Sequence, residues 1–174
     1  MERRQVNFAD VIEPLHRQTD FRGAGGMGVL LTSAGADGRP NAMTIGWGLY
    51  GCFYQGNCIA VVAVRPACHT FKLLDEVGEF GLCVPTPDMA AAVAFCGRES
   101  GRDHDKYAEC GFTAIPSQFI RPPCIADCPI QVECRIYHKQ RPPHLILTPE
   151  HRQKPLEAQH TIYYAQVLGA FRLD

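Results

Sequence analysis

Chemistry is concentrated in one stretch, ESGRDHDKY, running from Glu99 to Tyr107: seven of its nine side chains are charged, or are a His or Ser able to share a proton. Arg102 and Lys106 stand four apart, so they share one face of any helix that starts early enough. Asp103 and Asp105 suit the beginning of that helix, where carboxylates meet the positive end of its dipole. Two readings are open: a solvated helix start, or a cationic wall facing a bound anion. A second stretch, VRPACHT, bears on the choice. Arg65 leaves the end of an apolar run and Thr70 opens a predicted helix. Backbone N–H groups at a helix N-terminus, with a guanidinium and a hydroxyl beside them, suit a terminal phosphate. A helix cap beside a solvated Arg is the plainer alternative. In a third stretch, NAMTIGWG, polar Asn41 and Thr44 share a strand with Gly46, Trp47 and Gly48. Glycine inside a strand marks either a bulge or a close approach to something flat.

Other chemistries find less support. No nucleophile–base pair stands out, and Ser100 lacks the G-x-S-x-G setting of a serine hydrolase. Neither a G-x-G-x-x-G nor a P-loop motif is present. The nine cysteines are odd in number and scattered among apolar neighbours, as expected of buried, reduced thiols acting as small apolar residues. Cys124, Cys128 and Cys134 form the one cluster, but it lacks paired C-x2-C spacing and meets no His before His138. His151 and His160 are not at ligand spacing either, so no metal site is assigned. A net charge of −1 gives no reason to expect nucleic acid or an anionic membrane as partner. No run approaches the roughly 20 apolar residues of a membrane span. The N-terminus has no apolar core of a secretory signal, which points to the cytoplasm.

The elements that must position these residues follow from pattern. At 174 residues, 46% apolar and 20% charged, the chain suits one domain over 1–174 with a substantial core. Residues 1–25 are polar, end in FRGAGG, and read as a flexible lead-in. Strands are expected at 28–34 and 41–48, joined by an Asp37-Gly38 hairpin turn. Further strands are expected at 57–64, 79–85, 130–140, 144–148 and 160–173. Helices are expected at 68–80, with Thr70 as cap and Gly78 as stop, and at 89–97, capped by Asp88. A short third covers 105–111, and 115–129 reads as irregular, with four prolines. Strands adjoin strands without regular helical alternation. The pattern is therefore mainly β: a closed antiparallel barrel with a few short peripheral helices. Residues 138–159 either link two strands or close over a pocket.

In order and spacing, NAMTIGW, VRPACHT, EFGLCVP, CGRESGRDHDKYAECGFT and PIQVECRI resemble the flavin reductase-like family, and its flavoredoxin branch in particular. The likeness runs from about Gly28 to Ile136, with a looser match through His160. Its most distinctive part is CG-x2-SGRD-x-DK followed by GFT. The resemblance implies the FMN-binding split barrel and a homodimer, with non-covalent FMN in a groove at the interface. It implies that Asn41, Thr44, Ile45, Gly46 and Trp47 run along the isoalloxazine, with Ala63, Val64 and Arg65 on the other edge. Arg65, His69 and Thr70 would hold the phosphate, and Lys106, Ser100 and Arg102 would face the cofactor or substrate. Related reductases carry Gly-Asp-His before the last long strand. Here Ala158-Gln159-His160 keeps only the His, which would lie near the nicotinamide. NADH or NADPH would deliver hydride to flavin N5, a step that obliges no general acid or base, so no catalytic residue is assigned. Electrons would pass on to free flavin, a metal ion or a redox partner protein. An FMN-carrying electron-transfer protein reduced by a protein donor is the alternative. A flavin-free structural or zinc-binding barrel is a third reading.

Overall fold

The structure of the chain, a computed structural model, describes residues 2–19, 26–52, 57–149 and 155–174. Its N-terminus corrects the expectation of a flexible lead-in. Strand β1 (Arg3–Val6) and helix α1 (Ala9–Thr19) are ordered elements. Phe8, Val11 and Leu15 recur three and four apart, so one face of α1 is apolar; Val11 and Leu15 are fully buried. The charged residues of β1 are also engaged. Arg3 donates from Nη2 to Glu133 Oε1 at 2.6 Å and from Nε to Gln131 Oε1 at 2.7 Å. Its guanidinium lies 3.8 Å from the centroid of the Phe171 ring. Most of FRGAGG, residues 21–25, lies outside the described residues, as does His151.

The hairpin expected at Asp37-Gly38 joins β2 (Val29–Ala34) to β3 (Pro40–Ile45). Gly38 takes φ +82°, a left-handed conformation that glycine adopts without a Cβ clash. The Asp37 carboxylate accepts from Arg39 N at 3.0 Å and fixes the turn. Then come β4 (Gly48–Cys52), β5 (Cys58–Val64), β6 (Glu79–Val84), β9 (Ile130–Gln140) and β10 (Thr161–Leu173). With β1 added along β10, these form one eight-stranded antiparallel sheet in the order β3-β2-β6-β9-β10-β5-β4. Its two edge strands, β3 and β4, are consecutive in the chain and separated only by Gly46 and Trp47. Seven strands laid flat would span about 29 Å at roughly 4.8 Å spacing. Three residues bridge at most about 11 Å. The sheet therefore curls back on itself where β3 ends and β4 begins. No ladder joins these two strands among the described residues.

Three expectations need correcting. The return strand expected over 41–48 breaks at Gly46-Trp47, because the chain there crosses from one sheet edge to the other. The segment 144–148 joins no ladder, although its alternation is real: His144 and Ile146 are half-buried while Leu145 and Leu147 are exposed. Residues 115–129, read as irregular, contribute to a small hairpin of β7 (Ala114–Ile115) and β8 (Cys124–Ile125).

Helix α2 (His69–Val77) ends at Gly78 in the left-handed conformation, as expected, but its N-cap is Cys68 rather than Thr70. Helix α3 (Ala90–Arg98) follows a 3-10 turn that contains Asp88, so Asp88 does not cap it. Helix α4 (Lys106–Cys110) is capped by Asp105, which accepts from Ala108 N at 3.1 Å. Inside the curl, Leu31, Phe80, Leu82, Val132 and Tyr163 belong to the main core. A second core, with Leu30, Ala42, Val93, Cys96 and Tyr107, seats α3 and α4 against the outer face of β2 and β3. This fixes the loop between α3 and α4, residues 99–105, against the start of α2. Five cysteines are buried as small core residues, but Cys52 is exposed.

Candidate cofactor site

Three segments meet at one cavity of about 240 Å³: β3 at Met43, the passage from β5 into α2, and the turn between α3 and α4. Arg65, His69, Thr70, Ser100, Arg102 and Lys106, all singled out from sequence, line it together. Lys106 is 4% exposed, and its Nζ donates to the Cys96 carbonyl at 2.8 Å. No carboxylate among the described residues stands within ion-pair distance of it. Burial lowers its pKa from the ordinary lysine value. His69 is also pushed down, first by burial and then by the positive charges of Arg102, Lys72, Lys106 and Arg39. Both effects favour its neutral imidazole, and its Nδ1 is buried without a hydrogen-bond partner among the described residues. Arg102 spans the gap between segments, donating from Nη1 to the Ala67 carbonyl at 3.0 Å. A Cβ on Gly101 would lie 2.0 Å from Asn41 Oδ1 and 3.0 Å from His69 Cδ2. Only glycine lets this turn close over the cavity.

The stretch 99–107 thus divides between both readings offered for it. Ser100, Arg102 and Lys106 face the cavity, and Ser100 Oγ accepts from Arg102 N at 3.2 Å. Asp105 is a helix cap. His104 turns outward, with Nδ1 3.1 Å from Glu109 and Nε2 3.5 Å from Glu99.

The remaining residues lie elsewhere. Asn41 is a buried tie: its Nδ2 donates to Ser33 Oγ at 3.2 Å and to Thr70 Oγ1 at 3.0 Å, joining β2, β3 and α2. Thr44 donates to the Val93 carbonyl of α3 at 2.5 Å. The side chains of Ile45 and Val64 belong to the main core, and Ala63 is buried. Gly46 and Trp47 form the crossing between sheet edges. The Trp47 ring is half-exposed and stands 5.1 Å from the His160 ring, tilted by 59°. Trp47 and His160 line a second cavity of about 410 Å³ with His144, Ile146, Ala158, Gln159 and Ile162. Thr161 pairs with Val64 across β10 and β5, so His160 lies beside the strand end that delivers Arg65 to the first cavity. Sequence reasoning missed Met43 and Cys68, which carry no local signal. It also left His144 and Ile146 unassigned, although the alternation at 144–147 pointed to a common face.

The arrangement suits an anion. Cationic side chains from several elements converge beside the first turn of a helix, where N–H groups concentrate. Lys106 is held out of water with no carboxylate at ion-pair distance among the described residues, Glu99 on the same wall acting only from further off, and a bound anion relieves that cost.

The family model for the flavin reductase like domain matches residues 23–172. An uncharacterized protein of Archaeoglobus fulgidus is 31% identical over 98 residues, 56% of this chain and 54% of that protein. One from Pyrococcus abyssi is 32% identical over 76 residues, 44% and 43% of the two chains. The matches thus span about half of those relatives or less. Among solved structures, flavoredoxin of Desulfovibrio vulgaris has a TM-score of 0.68 at 22% identity, covering 84% of this chain and 68% of that one. An FMN-binding domain of a flavin reductases-like enzyme from Shewanella baltica has 0.67 at 19%, covering 98% and 77%. The NADH:FAD oxidoreductase of Streptomyces globisporus has 0.63 at 17%, covering 84% and 75%. These structures share the fold, and the match over most of its length makes this chain a member of the flavin reductase-like domain family.

Proposed function

We propose that the chain binds FMN non-covalently and works as an NAD(P)H-dependent oxidoreductase of the flavin reductase type. The observation that carries this reading is Lys106, a buried cation with no carboxylate at ion-pair distance among the described residues, on the wall of a cavity it shares with Arg65, His69 and Thr70. The donor set fits a phosphorylated flavin. Arg65, Thr70 and the first turn of α2 would hold the phosphate. The neutral His69 would donate its one ring N–H to a phosphate oxygen. Gly101 allows the turn to approach closely, and Arg102, anchored on Ala67, braces that turn. Along β3 toward Trp47, backbone groups rather than the side chains of Thr44 and Ile45 would face the ring. When bound, the flavin supplies a ring that takes up hydride and releases electrons singly or in pairs. Lys106 stabilises negative charge beside it, and Trp47 with His160 positions the second reactant.

In this reading the curled sheet is a barrel split between β3 and β4, and residues 1–174 act as one domain. The protein is a cytoplasmic homodimer whose second copy completes the flavin groove. Electrons leave to free flavin, a metal ion or a partner protein. Nine thiols, none in a disulfide among the described residues, suit a reducing compartment. One observation favours an electron carrier instead: Ala158 and Gln159 stand where related reductases have Gly-Asp before the His. An anaerobic absorption spectrum, taken before and after NADH and then NADPH, separates the two. A two-band flavin spectrum bleached within seconds by one nucleotide supports the reductase. Flavin that neither nucleotide bleaches supports the carrier, and a protein that stays colourless with added FMN rejects both.

A further inference from the structure

Eight of the nine cysteines are covered wholly or in part, and Cys52 alone is exposed. Its place in the sheet gives it a partner. Strands β4 and β5 pair antiparallel, and Cys52 stands directly opposite Cys58 in their register. The neighbouring pair on that side of the ladder is Tyr50 with Ala60, both buried. Residues two apart on a strand share a face, so the Cys52 and Cys58 side chains project to one side of the sheet. Cys58 packs at the rim of the main core, while Cys52 lies in solvent. Opposed residues of an antiparallel pair have Cα atoms about 4.5–5.5 Å apart. A disulfide needs Cα atoms about 4.4–6.8 Å apart and Cβ vectors that do not point away from each other. The register meets both conditions with the strands where they are. The two thiols also act on each other: burial first, and then the neighbouring Cys52 thiol, raises the pKa of Cys58. Cys96 and Cys110 stand close as well, 3.9 Å between sulfurs, but Cys96 is 1% exposed and closed to a reagent from solvent.

We propose that Cys52 and Cys58 form a redox-active dithiol, oxidised reversibly to a disulfide by exchange with a low-molecular-weight disulfide of the glutathione type. Cys52 reacts first, because it is the thiol that solvent reaches. Its thiolate, having released a proton to water, attacks one sulfur of the reagent. The reagent's S–S bond breaks, Cys52 becomes a mixed disulfide, and one thiolate leaves and takes a proton from water. The Cys58 thiolate, its proton likewise released to water, then attacks Cys52 Sγ. The mixed disulfide breaks, the Cys52–Cys58 bond forms, and the second thiolate leaves and is protonated. The pair loses two electrons and two protons, and the reagent gains both as two thiols. The product ties the edge strand β4 covalently to β5. This chemistry needs neither flavin nor nucleotide, so it holds or fails apart from the function proposed above.

The test equilibrates the purified full chain, with any cofactor it carries, in anaerobic buffers of reduced and oxidised glutathione, then quenches with acid and alkylates the remaining thiols. Chymotryptic cleavage at Phe53 and Tyr54 falls between the two cysteines, so a disulfide leaves two peptides joined in the mass spectrum. The expected result is a Cys52–Cys58 linked pair that dithiothreitol abolishes. Its ratio to the reduced form should fall with the square of the reduced glutathione concentration, as for an internal disulfide and not for an adduct. At about 0.1 mM reduced glutathione the linked form should outnumber the Cys52–glutathione adduct by at least about tenfold, since an opposed thiol competes at an effective concentration of millimolar or more. In Cys58→Ser the reaction should stop at the Cys52 adduct. A Cys52 adduct that persists as the main product in the native protein, two cysteines that stay unmodified, a link from either to a different cysteine, or a folded Cys58→Ser protein that takes up no glutathione overturns the proposal. The native peptide map decides alone if the variant does not fold.

Discussion

Arg65 and Lys106 have different predicted consequences although they line the same cavity. Arg65 is exposed at the end of β5, so its removal leaves the fold intact. A charge-assisted hydrogen bond contributes roughly 1.5–3 kcal/mol, so Arg65→Ala should weaken FMN about 10- to 150-fold. Riboflavin, which lacks the phosphate, should bind both proteins equally in a flavin-fluorescence titration; an equal loss for both ligands would refute the phosphate role. Lys106 is instead a liability until an anion arrives. Burial lowers its pKa below the ordinary 10.5. Between the lowered value and 10.5 the unfolded chain holds more protons than the folded one. Ligand-free stability should therefore climb as pH rises through that window and level off above it. Lys106→Met should flatten this dependence. It should also raise the melting temperature of the ligand-free protein by about 2–4 °C, the shift that roughly 1 kcal/mol gives in a chain of this size. The same variant should bind FMN about tenfold more weakly, the loss of some 1.4 kcal/mol. A variant that melts lower and binds FMN as before would make Lys106 an ordinary structural residue.

At the scale of elements, the strap formed by β1 is the feature that sequence concealed most completely. Glu133 is fully buried, accepts from Gln118 N and Phe119 N, and finds its cation in Arg3, 130 residues away. Removing one partner of a buried pair costs about 3–5 kcal/mol, because the other charge stays buried and uncompensated. Arg3→Met should thus lower the urea midpoint by about 1.5–2.5 M, for an m-value near 2 kcal/mol/M. Arg3→Met with Glu133→Leu should recover part of the loss; an unchanged midpoint in the single variant would show that β1 is dispensable. A polar N-terminus gives no sign of such pairing, since local composition is the same for a solvated tail and a strap. Where the signal was local, reading succeeded. Asp37-Gly38 placed the β2–β3 hairpin, and the alternation over 130–140 gave the bounds of β9. The break at Gly46-Trp47 was not legible, because the crossing between sheet edges is set by six other strands. The cavity was legible in part: Arg65, Thr70 and Lys106 carry charge or hydroxyls that a barrel does not require, whereas Met43 and Cys68 look like any core residue. Thr44 and Asn41 were polar for a structural reason, the tethering of α3 and α2 to β3.

For the whole molecule, the extended segment after β9 poses the remaining question. His144 and Ile146 turn toward the second cavity, while Leu145 is 89% exposed and Leu147 73%. Leu49, on the edge strand β4, is 59% exposed. Scattered apolar side chains on a surface need no explanation, but two leucines alternating along an extended segment form a face that another chain can cover. A second copy is the occupant that the proposed function requires. The native protein should therefore sediment at twice the 19.3 kDa of one chain at micromolar concentration. Leu145→Asp with Leu147→Asp places two carboxylates on that face and should give a folded monomer, its circular dichroism unchanged. If the partner completes the flavin groove, this monomer should bind FMN at least tenfold more weakly, since part of the wall, about 1.4 kcal/mol or more, is removed with the partner. Sedimentation and flavin titration on the same preparation separate the outcomes. A native monomer removes the dimer from the mechanism. A monomeric variant that keeps native FMN affinity shows that one chain, with its own Lys106 and Arg65, holds the cofactor unaided.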